Sequence, residues 1–156
     1  MAGKIPLILM TTSEAVLNFR VPPLAHVSRI VREGVSDFAC AHEVGEEDLA
    51  HFLTALGEAL ANAIEHAQAQ RPIEIDVRLS EDRIVATVQD NGIGFTSELA
   101  VNPALPDPTA ERGRGLPIMR RCSDIFMVKS IPGKGTAVVL GRYLRSHGRA
   151  TSASVA

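Results

Sequence analysis

The chain has 156 residues, of which 46% are hydrophobic and 22% charged, and a formal net charge of −2 at pH 7. That is enough apolar material for one domain with a real core, and the near-neutral balance excludes a general attraction to nucleic acid or acidic membrane surfaces. The opening run Ile5-Pro-Leu-Ile-Leu-Met10 is too short to span a bilayer and has no small-residue cleavage pattern behind it, so a cytoplasmic protein is expected.

In chain order, residues 14–21 alternate partly and stop at Pro22-Pro23, which suits a strand near a sheet edge. The two prolines then open a helix whose apolar stripe is Leu24, Val27, Ile30, Val31, Val35 and Phe38. After a break at His42 to Gly45, Glu46-Glu47-Asp48 places negative charge in the first turn of a second helix, where the dipole favours it. Leu49, Phe52, Leu53, Leu56, Leu60, Ala63, Ile64 and Ala67 recur at offsets of three and four along that helix, and Arg71-Pro72 closes it. The period then changes to two. Ile73, Ile75, Val77 and Leu79 point one way, Glu81-Asp82 turns the chain, and Ile84, Ala86 and Val88 return inward on a strand from Arg83 to Gln89.

Periodicity lapses from Asp90 to about Arg112. A stretch of that length with Pro103, Pro106 and Pro108 reads as a binding loop or lid. Leu116, Ile118, Met119 and Cys122 suggest a short helix, and Ile125 to Ile131 and Thr136 to Tyr143 are two strands around the turn Pro132-Gly133-Lys134-Gly135. Cys40 and Cys122 form no Cys-x-x-Cys pair and are expected to be buried thiols. The sum is an α+β fold, a two-layer α/β sandwich with a mixed, mostly antiparallel sheet and helices on one face. Residues 1–145 are expected to form that single domain and residues 146–156 a disordered tail.

Three places carry chemistry. On the second helix Glu58, Asn62 and His66 stand at i, i+4 and i+8, a polar line opposite the apolar stripe, flanked by alanines at 55, 59 and 61 that would let a ligand approach the backbone. On spacing alone a solvated helix face explains that line as well. Asp90 ends a strand before Gly92 and Gly94, which fixes a carboxylate at the sheet rim where a flat ligand or its phosphates could come close, although Asp-Asn-Gly is also an ordinary turn. Gly113 and Gly115 precede a helix, where free amides favour an anion; by itself this pattern is common. Neither a P-loop nor a Gly-x-Gly-x-x-Gly dinucleotide motif is present.

Taken together, Glu58-x-x-x-Asn62-x-x-x-His66, Asp90-x-Gly92-x-Gly94, Arg112-Gly-x-Gly-Leu116 and Gly135-Thr136 resemble the GHKL-type ATP-binding domain of gyrase, Hsp90, histidine kinases and MutL, the Bergerat fold. The likeness runs from about Leu49 to Leu140. The wording around Glu58 to Ala67 and Gly115 to Asp124 is most similar to the anti-sigma-factor serine/threonine kinases. The resemblance implies Mg²⁺ on Asn62, with Glu58 as general base, and Asp90 accepting from the exocyclic amine of adenine in ATP. It further implies that Gly92, Gly94 and Thr136 line the base pocket. Arg112, Gly113, Arg114, Gly115 and Leu116 would hold the phosphates, and His66 would serve either the phosphates or the structure. It also implies a homodimer through the first strand and helix, an anti-anti-sigma substrate of the STAS type, and a sigma factor as second partner, with no nucleic acid or membrane contact. The alternative is a non-catalytic module whose partner binding ATP controls.

Overall fold

The structure, a computed structural model, describes residues 13–67, 71–94 and 115–145. Within these, five strands and three helices run in the order β1 (Ala15–Val21), α1 (Val27–Ala41), α2 (Glu46–His66), β2 (Ile73–Leu79), β3 (Arg83–Gln89), α3 (Gly115–Arg121), β4 (Ile125–Ile131) and β5 (Gly135–Tyr143). The strands form one sheet in the order β1-β2-β3-β5-β4. All four ladders are antiparallel, so the described sheet lacks the parallel pair that a mixed sheet would contain. The reason lies in the connections. Both hairpins reverse the chain, and the excursion from β3 through α3 returns along the far edge as β4, which leaves β5 to fill the gap beside β3.

Alternation sorts the sheet into two faces. Ile73, Ile75, Val77 and Leu79 of β2 and Ile84, Ala86 and Val88 of β3 are buried with Val138 and Leu140 of β5. Against them lie Val31 and Val35 from α1, Phe52, Leu56 and Leu60 from α2, and Met119 from α3, all without solvent exposure. Each fully buried side chain of this size contributes about 1.5–3 kcal/mol through removal of apolar surface from water. The outer face of β1 and β2 is wet and charged, with Arg78 within 2.7 Å of Asp76 and 3.4 Å of Glu14.

The first helix departs from the sequence expectation. It starts at Val27, not at the prolines, because Leu24 and Val27 donate to the Pro22 and Leu24 carbonyls in a turn that precedes it. Its buried stripe is Val27, Val31, Val35 and Ala39, while Leu24 and Ile30 are about half exposed (49% and 52%). Cys40 is likewise exposed and Cys122 only half-buried: Cys40 follows buried Ala39 by one residue, which turns it about 100° away from the core.

Asp48 also differs from expectation. It is not a solvated first-turn charge but a buried one, 3.0 Å from Arg142 Nη2 of β5, and its other oxygen accepts from the Arg145 amide at 3.0 Å. Burial pushes this carboxyl up. The Arg145 amide and then the Arg142 guanidinium outweigh that effect and hold it below the usual carboxylate range. The head of α2 is thereby fastened to the end of β5. At the other flank of Arg142, Asp124 stands 3.7 Å from Nε and accepts from the Tyr143 amide.

Candidate functional site

The site is built where the C-terminal half of α2 passes the rim formed by the ends of β3 and β5. Asp90, the residue after β3, is only 5% exposed, and its Oδ1 accepts from the Gly92 amide at 2.9 Å and the Thr136 amide at 3.2 Å. The Asp90 amide in turn donates to the Thr136 carbonyl at 2.9 Å. Gln89 Nε2 caps the Asp90 carbonyl at 2.7 Å. One carboxylate oxygen is thus committed to the protein. Oδ2 has no hydrogen-bond partner among the described residues, which leaves it as an acceptor for a ligand.

The glycines around Asp90 serve protein packing. The direction a side chain would take from Gly92 is blocked by the His66 peptide, with the carbonyl carbon 2.9 Å away and the oxygen nearer still. Gly135 meets the Asp90 carbonyl in the same way, and its φ of +99° lies in the region that side chains rarely adopt. Backbone therefore packs on backbone, and the end of α2 is seated directly on the Asp90 loop.

One and two turns earlier on α2, Asn62 and Glu58 are half-buried and converge on α3. A carbon added at Gly115 would lie 3.2 Å from Glu58 Oε2, 3.2 Å from Asn62 Nδ2 and 3.4 Å from Asn62 Oδ1. The carboxylate and the amide accordingly face a single point at the foot of α3, a point kept open by the absence of a side chain. Among the described residues no cluster of three His, Cys, Asp or Glu could hold a metal by itself. The donors present suit Mg²⁺, which takes one or two protein oxygens and completes its shell with phosphate and water.

Two side chains of the polar line, Glu58 and Asn62, thus reach Gly115, whereas His66 meets Gly92 through its backbone carbonyl and its side chain is exposed. Ala55 and Ala59 are buried in the core, so the close approach expected beside that line is restricted to exposed Ala61. Leu116 packs partly against the core and Thr136 is buried beside Asp90. Arg112, Gly113 and Arg114 and the expected lid lie outside the described residues. Ser130, whose hydroxyl is 2.8 Å from that of Thr136, was not singled out by the sequence. The turn at 132–135 contained the signal, because a hairpin closed there pairs Ser130 with Thr136.

The model of the histidine kinase-like ATPase domain matches residues 22–142. The chain belongs to that family. The match runs from α1 to β5, ending one residue before that strand does, and an ATPase domain of this type implies ATP binding. Curated relatives include anti-sigma F factors. That of Clostridium perfringens (strain SM101 / Type A) is 33% identical over 121 residues, covering 74% of this chain and 86% of that protein. The Pasteuria penetrans protein is 30% identical over 122 residues, with 74% and 81% covered. That of Caldanaerobacter subterraneus subsp. tengcongensis is 32% identical over 118 residues, with 72% and 82% covered. Among solved structures, the RsbU and RsbW domains of a Mycobacterium tuberculosis protein superpose with a TM-score of 0.64 at 19% identity over 84% of this chain, which establishes a shared fold. This chain spans 33% of that two-domain chain.

Proposed function

We propose that this family member is a cytoplasmic ATP-dependent serine/threonine kinase acting as an anti-sigma factor, which phosphorylates a small anti-anti-sigma protein and sequesters a sigma factor. The observation that carries the reading is the convergence of Glu58 and Asn62 on Gly115, at one end of a rim whose other end is the half-committed carboxylate of Asp90. The anti-sigma F factors among its relatives supply the biological setting.

Each residue has a task that its surroundings permit. Asp90 Oδ2 accepts from the exocyclic amine of adenine, its partner oxygen being held by two amides. Asn62 offers its side-chain oxygen to Mg²⁺, which when bound neutralises charge on the β- and γ-phosphates. Gly115, with Arg112 and Gly113 before it, receives the phosphates. Glu58 accepts the proton as the substrate hydroxyl oxygen bonds to the γ-phosphorus and the bond from that phosphorus to the ADP oxygen breaks. Arg114 assists the phosphates, and His66, exposed at the end of α2 with its carbonyl against Gly92, closes the base side. Exposed Leu24 and Ile30, beside and on α1, offer apolar side chains to a homodimer through the first strand and helix.

Incubation with Mg-ATP and the anti-anti-sigma protein encoded nearest the gene tests the reading. A phosphoserine or phosphothreonine on the partner, absent with Glu58→Gln, is expected. Partner binding that ATP strengthens equally in Glu58→Gln, with no phosphoprotein formed, would instead identify a nucleotide-controlled binding module.

A further inference from the structure

The outer face of the sheet, opposite the three described helices, has two unlike halves. Over β1 and β2 it carries ion pairs, Arg20 with Glu74 at 3.7 Å and Arg78 with Asp76 and Glu14. Over β3, β5 and β4 it is largely apolar. The register sets Met127 beside Val139 and puts Ile125, Gly141 and Val85 in one row. Gly141 leaves a dip in that row, since a carbon added there would stand 3.0 Å from Val85 Cγ2 and 3.4 Å from Ile125 Cβ. At the rims of the dip Met127 is 62% exposed and Tyr143 52%, an unusual placement for such side chains on a sheet.

The same chain carries an uncharged apolar run, Ile5-Pro-Leu-Ile-Leu-Met10, that lies outside the described residues. Three polar residues, Thr11, Thr12 and Ser13, join it to Glu14, whose carboxylate reaches Arg78 on the outer face. Ala15 pairs with Leu79 and Arg83 with Tyr143, so β1 begins at the end of the sheet where Tyr143 stands. Strands lie about 4.8 Å apart and extended chain covers about 3.3 Å per residue, so residues 11–13 span roughly the 10 Å from β1 to β3. Residues 5–10 add about 20 Å, more than the roughly 10 Å from β3 to β4. The polar linker thus matches the charged half of the face and the apolar run matches the other. We propose that residues 5–10 fold back across the outer faces of β3, β5 and β4 and close the surface around Met127, Val139 and Tyr143 within the same chain. Pro6 has no N–H to give a ladder, so the run sits there through its side chains and not as a sixth strand.

The methionines supply the test. Sulfoxide formation follows exposure, and dilute hydrogen peroxide followed by mass spectrometry reads each site separately. The full chain is compared with a chain lacking residues 1–10 and with the double variant Leu7→Asp, Leu9→Asp. Met119, without solvent exposure, reports that each chain is folded. Met127 should oxidise about tenfold more slowly in the full chain than in the truncated one, the slowing given by a segment docked nine-tenths of the time. The double variant should speed Met10 and Met127 together while Met119 stays protected, and it decides the matter if truncation also exposes Met119. Equal Met127 rates in the full chain and the double variant would overturn the proposal. So would protection of Met127 that survives both changes and grows with protein concentration, which would assign the surface to a second copy of the chain.

Discussion

Gly92→Ala is the sharpest probe of how the site is assembled. The added carbon would sit 2.9 Å from the His66 carbonyl carbon, with the carbonyl oxygen closer still, and 3.0 Å from Asp90 Oδ1. Carbon atoms settle at about 3.5–4.0 Å, so the loop or the last turn of α2 must retreat by roughly 0.6 Å or more. Overpacking of this kind costs about 1–3 kcal/mol. The retreat also pulls the Gly92 amide from Asp90 Oδ1, now 2.9 Å away, and a lost hydrogen bond to a charged group costs a further ~1.5–3 kcal/mol. The expected total, roughly 3–5 kcal/mol, is a large part of a domain's stability and should lower the urea midpoint by about 1.5–2.5 M at a slope near 2 kcal/mol/M. Gly133→Ala is the control, because its φ is +77° and nothing lies within 4 Å of the added carbon. That variant meets only backbone strain, about 1–2 kcal/mol. Should Gly92→Ala unfold at the wild-type midpoint, the backbone contact between α2 and the Asp90 loop does not hold the site together.

Other outcomes follow from single groups. Glu58→Gln should bind ATP with an affinity within about threefold of wild type and lose phosphotransfer by 10²–10⁴-fold, read by radiolabel transfer. Asp90→Asn exchanges an acceptor for a donor at the amine and should weaken ATP binding at least about tenfold by calorimetry. The Asp48 carboxyl titrates lower in the folded chain than in the unfolded one, so its stabilisation is present above the ordinary carboxylate value of about 3.9 and is lost as pH falls through the folded value. Asp48→Asn should therefore reduce stability at pH 7 and flatten the acid limb of the stability curve. Arg142→Ala leaves that carboxylate buried without its cation and should cost about 3–5 kcal/mol by denaturant titration.

The β2–β3 hairpin was legible to the residue, since both its alternating faces and the acidic turn at Glu81-Asp82 are local. The start of α2 at Glu46 was legible for the same reason, whereas its end was not: the helix stops at His66 with Ala67 already extended, short of the expected close at Arg71-Pro72. What the sequence could not convey depends on neighbours far along the chain. Ile30 fits the helical stripe by spacing, yet the face that α1 buries is Val27, Val31, Val35 and Ala39, and Ile30 is left half in water. Asp48 has the composition of a helix start, and only the arrival of Arg142 reveals it as half of a buried pair. The glycines after Asp90 announced a close approach without saying of what, and the answer at Gly92 is the protein's own helix end. The place of Ser130 beside Thr136 required the strand register as well as the turn.

The bond between Asp48 and Arg142 spans 94 residues of chain, and that between Asp48 and the Arg145 amide spans 97. During synthesis the segment bearing Glu58 and Asn62 leaves the ribosome long before its counter-cation does. Until residue 142 emerges, the Asp48 carboxylate lacks the guanidinium that it meets in the folded chain. The head of α2 is therefore fastened only once the closing strand is made, and a chain cut short upstream of it keeps the charge without its partner.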